Sequence, residues 1–358
     1  MNKQLEKIYD WVLPLILKLN RRVTIKKEVG KVVVISLHKL GDAVFTIPAL
    51  NSILKYHNNK KINLVCFRET IEIFKLALNN IEYVILDRDD FYFGERIGGF
   101  HARKLIKDMN AERIYDITGC IQSASLLYNC HANEIIGLNE IRYKPLYDVF
   151  SLISNGPHMS DIYLNAVRPV IKIESDDSFK AGTSIPQKSG YILIHPFAGW
   201  SAKEWGIEKY LGLARKLSNP VEVRFIIPSG YLPENNLKII EKEFKIVESK
   251  NIPDLIENIK NCSLLIGNDS GPVHIANLMK KQVFTIYGPT NPSYHQPKSG
   301  LSGYIVKEIV CSPKVNEKLC FTDGGRKGCP SFECMKQLSV DEVFLAVTKF
   351  INKINKEE

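Results

Sequence analysis

Short β-branched runs alternate with longer stretches of helical period along most of this chain. VVVISL (32–37), INLVCF (62–67), YVILD (83–87), RIYDIT (113–118) and NEIIGL (133–138) read as strands, and AVFTIPALNSILKYH (43–57) as a helix. Continuous apolar strands separated by helical patterns predict a parallel sheet covered on both faces. The pattern lapses over 172–190, KIESDDSFKAGTSIPQKSG, which is polar, aperiodic and holds Gly, Pro and Ser, the composition of a domain boundary. It then resumes with YILIHP (191–196), VRFIIP (223–228), KIVES (245–249), LLIGN (264–268) and VFTIYG (283–288). Helical patterns at 207–217, 233–244, 252–260 and 273–280 separate these strands, and a last one at 340–355 closes the chain. The expected organisation is an arm over 1–30, doubly wound α/β domains over 31–175 and 190–338 facing each other across a cleft, and a terminal helix over 339–358.

At 358 residues, each half is long enough to bury a core, and 45% apolar with 24% charged residues is globular composition. The net charge of +9 suggests an anionic partner. Basic residues are dispersed rather than striped and no nucleic-acid motif occurs, so nucleic acid is not expected to be that partner. Over residues 1–31, eight Lys and Arg stand against three acids around the short apolar run WVLPLIL (11–17). Such an arm suits either an anionic membrane surface or a packed helix on the protein itself. No run approaches the ~20 apolar residues of a membrane-spanning helix. With no secretory signal at the start, a cytoplasmic protein is expected, peripheral on the inner face of the membrane if the arm binds lipid.

In doubly wound sheets, ligands bind at the carboxyl ends of the strands, so chemistry belongs in strand-to-helix loops. Four loops stand out. In ISLHKLGDAVFTIPAL (35–50), Asp42 lies where a helix begins, as a cap or as a general base, with His38 and Lys39 beside it. In IHPFAGWSAKEWGIEKY (194–210), Lys203 sits between two tryptophans, where a lysine can hold phosphate as a point charge. In IIPSGYLPENN (226–236), Ser229 and Gly230 form a turn and Glu234 is a first-turn acid able to accept from a ribose. In GNDSGPVH (267–274), Gly267 and Gly271 allow close approach and Pro272 starts a helix. The amides of Ser270, Gly271 and Val273 would then face an anion at the positive end of the helix dipole, with Asp269 and His274 nearby. A second loop, GPTNP (288–292), contributes Gly288 and Thr290. No P-loop or GxGxxG motif is present.

Together LGDAVFTIPAL (40–50), HPFAGWSAKEW (195–205), GNDSGPVHIANLMKKQVFTIYGPTNP (267–292) and the late Cys-rich segment resemble glycosyltransferase family 9, the ADP-heptose:lipopolysaccharide heptosyltransferases. The resemblance covers nearly the whole chain after the arm. It implies a GT-B fold with an N-terminal acceptor domain, a C-terminal nucleotide-sugar domain and a last helix crossing back to the first. It implies inverting, metal-independent transfer of a sugar, heptose from ADP-heptose, to a lipopolysaccharide core or related anionic glycolipid, with no cofactor beyond the donor. By the same resemblance Asp42 matches the general base, and Lys203, Glu234, Asp269, Ser270, Gly271 and His274 match donor-binding positions. His38 and Lys39 replace the small residues usual before LGD, which points them at the acceptor, and Gly206 replaces a usual proline. Those departures leave open a non-heptose donor; a non-catalytic nucleotide-sugar-binding protein is the alternative of another class, although binding alone would not need Asp42.

Eight cysteines divide into two groups. Cys66, Cys120, Cys130 and Cys262 fall singly in apolar surroundings, as small buried hydrophobes. Cys311, Cys320, Cys329 and Cys334 are clustered, at spacings of nine, nine and five. That spacing is wider than the paired CxxC of most zinc sites, so free thiols or a disulfide are expected before a metal.

Overall fold

In the computed structural model, the residues described are 30–58, 61–128, 130–153, 158–173, 190–315, 317–320, 329 and 331–357. The expected arm therefore lies outside them except for Gly30, as does most of the polar stretch 172–190. The described residues split into two compact units that change over near residue 180, with His158 belonging to the second.

The first unit is built on a six-stranded sheet. Its strands are β1 (Val32–Ser36), β2 (Ile62–Phe67), β3 (Ile81–Leu86), β6 (Ala111–Asp116), β7 (Ala132–Asn139) and β8 (Val149–Leu152). They lie in the order β3-β2-β1-β6-β7-β8, every pairing parallel. A two-stranded antiparallel hairpin, β4 (Phe91–Tyr92) with β5 (Ile97–Gly98), is inserted between the third and fourth sheet strands. All five residues of β1 are buried, as a strand central in a sheet covered on both faces must be.

The second unit repeats the plan with β9 (Tyr191–His195), β10 (Val223–Pro228), β11 (Lys245–Ser249), β12 (Cys262–Asn268), β13 (Gln282–Tyr287) and β14 (Ser302–Val306). The order is β11-β10-β9-β12-β13-β14, again wholly parallel. Counted within each unit, both sheets have the 3-2-1-4-5-6 order of the dinucleotide-binding fold. Its direction of winding reverses between the first and fourth strands, which here means between β1 and β6 and between β9 and β12. At such a point the two neighbouring loops diverge to opposite faces and leave a crevice.

The terminal helix Val340–Glu357 is amphipathic and is started by a reciprocal cap. The Glu342 amide donates to Ser339 Oγ at 3.2 Å while the Ser339 amide donates to the Glu342 carboxylate at 2.8 Å. Val343, Val347, Phe350 and Ile354 recur at helical spacing on one face and are buried in the core of the second unit. Gly303 in β14 makes room for that packing, since a Cβ there would lie 2.6 Å from the Phe350 ring. Among the described residues no helix is long and apolar enough to cross a membrane.

A similar close approach fixes the first sheet. A Cβ added at Gly137 in β7 would stand 2.5 Å from the Asp116 carbonyl oxygen, 2.9 Å from the Asp116 Cβ and 3.0 Å from the Tyr147 ring. Backbone does not yield as a flexible side chain does, so Gly137→Ala is expected to destabilise the first unit by about 1–3 kcal/mol, the scale of core overpacking. Amide hydrogen exchange across β6 and β7 should speed up accordingly; exchange at the wild-type rate would show that the sheet absorbs the methyl group.

Candidate functional site

Two groups of polar side chains gather at the two switch points, one in each unit. In the first unit, the chain leaves β1 through Leu37, His38 and Lys39 into the helix Leu40–Tyr56. Lys39 occupies the N-cap position without a side-chain cap, and Asp42 falls in the first turn, half-buried. Asp42 is thus not the cap that its position suggested. It stands where the helix dipole favours a carboxylate. Lys39 is exposed, but His38 is buried. Ser36 Oγ and His38 Nδ1 are 2.9 Å apart, and the His38 ring meets Tyr163 edge-on at 4.6 Å. Tyr163 is fully buried, and its hydroxyl is pushed well above its ordinary pKa by burial first and then by the Asp42 charge. Tyr163 therefore belongs to the surroundings of Asp42. Sequence reading passed over it, because it lies in a short helix, Met159–Leu164, far along the chain.

The neighbouring strand β6 ends in Asp116, which has no exposed surface. Its carboxylate accepts from the Thr118 amide at 2.9 Å and from the Tyr147 hydroxyl at 2.6 Å. Thr118 in turn accepts from the Leu37 amide at 3.0 Å and donates to the Ile35 carbonyl at 3.1 Å, tying the ends of β6 and β1 together. Burial pushes the Asp116 carboxyl up to about 6, against the lowering effect of Tyr147, Ser123 and the Thr118 and Gly119 amides.

In the second unit, the loops after β9 and β12 are clamped by one asparagine. Asn268, at the end of β12, donates to the Pro196 carbonyl at 2.7 Å and accepts from the Trp205 amide at 3.1 Å and the Tyr210 hydroxyl at 3.0 Å. The clamp sets Lys203 against Asp269, with Nζ 2.7 Å from Oδ2 and 3.2 Å from the Asp269 carbonyl oxygen. Asp269 is 2% exposed and its other oxygen is 3.3 Å from His274 Nε2. Burial disfavours the Asp269 charge, but Lys203, the His274 hydrogen bond and nearby His295 outweigh it and hold the carboxyl well below the usual range. His295 is itself pushed down to about 4, by burial first and then by the Lys203 and Lys318 cations, partly offset by Asp269.

The N-cap of the helix Gly271–Leu278 is Ser270, not Asp269. The amide of Val273 is engaged by the Ser270 carbonyl at 3.2 Å, so of the three amides expected to face an anion only those of Ser270 and Gly271 are left to do so. Ser270 Oγ and Thr290 Oγ1 are shielded from solvent and have no hydrogen-bond partner among the described residues. Gly288, in the same loop as Thr290, packs against Met335, whose methyl would lie 2.8 Å from an added Cβ. Ser229 is exposed, and its hydroxyl bonds to the Glu248 carboxylate at 3.1 Å. Glu234 opens the helix Glu234–Glu241, and its side chain is outside the described residues. Asn268 and His295 escaped the sequence reading. The signal for Asn268 was its place between a strand end and Asp269, and for His295 the polar run after GPTNP.

Two Rossmann-ordered parallel sheets in one chain, each with polar side chains at its switch point, are the plan of the GT-B fold. The chain matches the model of glycosyltransferase family 9 (heptosyltransferase) over residues 100–322, more than half its length, and belongs to that family. Among curated proteins it is similar to lipooligosaccharide heptosyltransferase 2 of Campylobacter jejuni subsp. jejuni serotype O:6, with 24% identity over 334 residues, covering 87% of this chain and 96% of that one. Among solved structures it shares its fold with the family 9 glycosyltransferase of Veillonella parvula (TM-score 0.71, 16% identity, 92% of this chain and 99% of that one). The E. coli heptosyltransferase WaaC, solved with ADP, is also similar (TM-score 0.66, 16% identity, 90% and 99% covered).

The raised pKa of Asp116 has a testable consequence. Its folded pKa lies above its unfolded one, so the stability it lends is complete below about pH 4 and is lost as pH rises through about 6. Relative to Asp116→Asn, the wild type should lose on the order of 3 kcal/mol between pH 4 and 7, at about 1.4 kcal/mol for each tenfold change in proton affinity. Denaturant unfolding of both proteins across that range checks this, and parallel profiles would contradict it.

Proposed function

We propose that this glycosyltransferase moves heptose from ADP-heptose onto a lipopolysaccharide core or related anionic glycolipid, with inversion at the anomeric carbon and without a catalytic metal. The observation that carries the reading is the Lys203–Asp269 pair set beside the N-terminus of the helix Gly271–Leu278 at the second switch point. The names of the relatives support the sugar and the acceptor, and the ADP of the E. coli neighbour supports the nucleotide.

Cleavage of a sugar–phosphate bond builds negative charge on the departing nucleoside diphosphate. Lys203 uses two of its three ammonium donors on Asp269, and the third is directed to the diphosphate. The amides of Ser270 and Gly271 and the dipole of their helix add to that stabilisation, already oriented before reaction. Ser270 and Thr290 offer the donor two hydroxyls that have no hydrogen-bond partner among the described residues. Asp269 is a positioning residue in this scheme, since its carboxylate is consumed by Lys203 and His274.

On the acceptor side, Asp42 takes the proton of the attacking hydroxyl as its oxygen bonds to the anomeric carbon opposite the leaving ADP. Lys39 is the exposed cation beside it for an anionic acceptor, and His38 and Tyr163 shape the wall behind. The basic arm over 1–30 is assigned to the anionic membrane surface that presents such an acceptor, on its cytoplasmic side.

Asp42→Asn is expected to lower turnover by roughly 10²–10⁴ while ADP affinity stays unchanged, the scale of losing a general base. Release of ADP in the presence of acceptor measures the first and calorimetry the second. Near-normal turnover would remove Asp42 from catalysis.

A further inference from the structure

The two most exposed aromatic side chains among the described residues are Phe93, 80% exposed, and Phe100, 71% exposed, with Tyr92 next at 53%. All three fall in one short segment of the first unit. Tyr92 and Phe93 lie at the tip of the β4–β5 hairpin, and Phe100 opens the helix Phe100–Asp108 that follows. Tip and helix start are neighbours, since a Cβ added at Gly99 would stand 3.2 Å from the Tyr92 ring. Apolar side chains scattered singly on a surface are ordinary; three aromatics presented together mark a surface that meets something.

The turn is shaped to hold Phe93 in solvent. Phe93, Gly94 and Glu95 take consecutive left-handed φ values of 53°, 65° and 66°. Glycine meets that conformation without strain, whereas a bulky residue adopts it only where its surroundings demand it. The turn is then fastened to the body of the unit. Gln122 Nε2 donates to the Glu95 carbonyl at 2.5 Å, Arg88 to the Glu95 carboxylate at 2.7 Å, and the Gly98 amide to Ser125 Oγ at 2.8 Å. A tip held this way loses little freedom when it makes contact.

The helix adds charge. Ala102 and Ile106 form its buried face, while Phe100, Lys104 and Lys107 are exposed and Arg103 is half-buried. Positions 100, 103, 104 and 107 share one face at helical spacing. With Tyr128 and Asp108 they line an open groove of about 300 Å³. From Arg96 to Asp108, four Lys and Arg stand against one acid, Asp108, which pairs with Lys104 at 2.9 Å. Before them Glu95 is taken by Arg88 and Asp90 by His101 at 3.1 Å, which leaves Asp89 as the exposed carboxylate leading into the hairpin.

An aromatic tip beside a cationic helix face matches the boundary of an anionic bilayer. Rings settle between headgroups and acyl chains, and the cations meet lipid phosphates. We propose that the hairpin tip and the helix Phe100–Asp108 form a docking surface for bilayers that contain anionic phospholipid. The surface is separate from the arm over 1–30, and the lipid contact does not rest on the identity of the donor. One consequence does rest on the proposed transfer. The hairpin follows the carboxyl end of β3 as Asp42 follows that of β1, so docking brings the bilayer to the sheet edge that holds the base.

The test uses the full chain with vesicles of phosphatidylcholine, alone or mixed equally with phosphatidylglycerol. Sedimentation with the mixed vesicles only, weakening as salt rises, is expected. Phe93→Ser and Phe100→Ser should each lower partitioning on the order of tenfold, the value of one buried aromatic ring. Arg103→Gln combined with Lys107→Gln should lower it roughly 25-fold, about fivefold for each cation. Unchanged unfolding midpoints and ADP binding would show that the variants are folded and the donor site intact. Amide exchange over 92–100 should slow in wild type when the mixed vesicles are added. Variants that partition like wild type would overturn the proposal, as would exchange over 92–100 that the vesicles leave unaltered; any lipid contact would then belong to the arm. So would equal binding to both kinds of vesicle. A change of oligomeric state in Phe93→Ser or Phe100→Ser without lipid would also overturn it, and give the surface to a second copy of the chain. None of these failures touches the transferase reading, which ADP binding and turnover test separately.

Discussion

A carboxylate with 2% of its surface exposed, at the end of a central strand, has to be matched by a cation or lose its charge. Asp269 is matched by Lys203 from the loop after β9, 66 residues earlier. The pair therefore joins the two loops that diverge at the second switch point, and Asn268 fixes their spacing from beneath. Remove either charge and the other is stranded in a desolvated place. For the proposed transfer the strength of the pair is also its use. Lys203 is held still before the donor arrives, so little of its flexibility has to be frozen on binding.

The first switch point holds its buried carboxyl without a cation instead. Asp116, with its carboxyl pushed up to about 6, is bonded to Tyr147 and Thr118 rather than to a cation. It stitches β6 to β1 and leaves Asp42, half-buried in the first turn of the next helix, as the charge available for chemistry. One unit thus buries an ion pair and the other buries a carboxyl among hydroxyls. The contrast suits a site that must meet a diphosphate and a site that must take a proton.

Much of this was legible in the sequence, for identifiable reasons. The runs VVVISL and YILIHP became β1 and β9 because a strand covered on both faces is apolar throughout and interrupts the helical period. The edge strands β8 and β14 were missed, being short and only partly buried, so their patterns carry little apolar signal. The hairpin β4–β5 has two residues per strand and no periodicity to read. Loop position put Asp42, Lys203 and Asp269 in the connections that follow β1, β9 and β12, because doubly wound topology brings all such connections to one edge of each sheet. What the sequence hid was pairing. That Lys203 closes on Asp269, that Tyr163 backs His38, and that four cysteines share one cavity are facts of tertiary distance.

The most direct test of the account is calorimetric titration of ADP, UDP and GDP into the wild-type protein and Lys203→Ala, without added divalent cation. Selective binding of ADP, weakened in Lys203→Ala, is the predicted result and would tie the donor diphosphate to the buried pair. Binding of none of the three, or ADP binding that is unchanged in the variant, would contradict it, and the Lys203–Asp269 pair would then be structural alone.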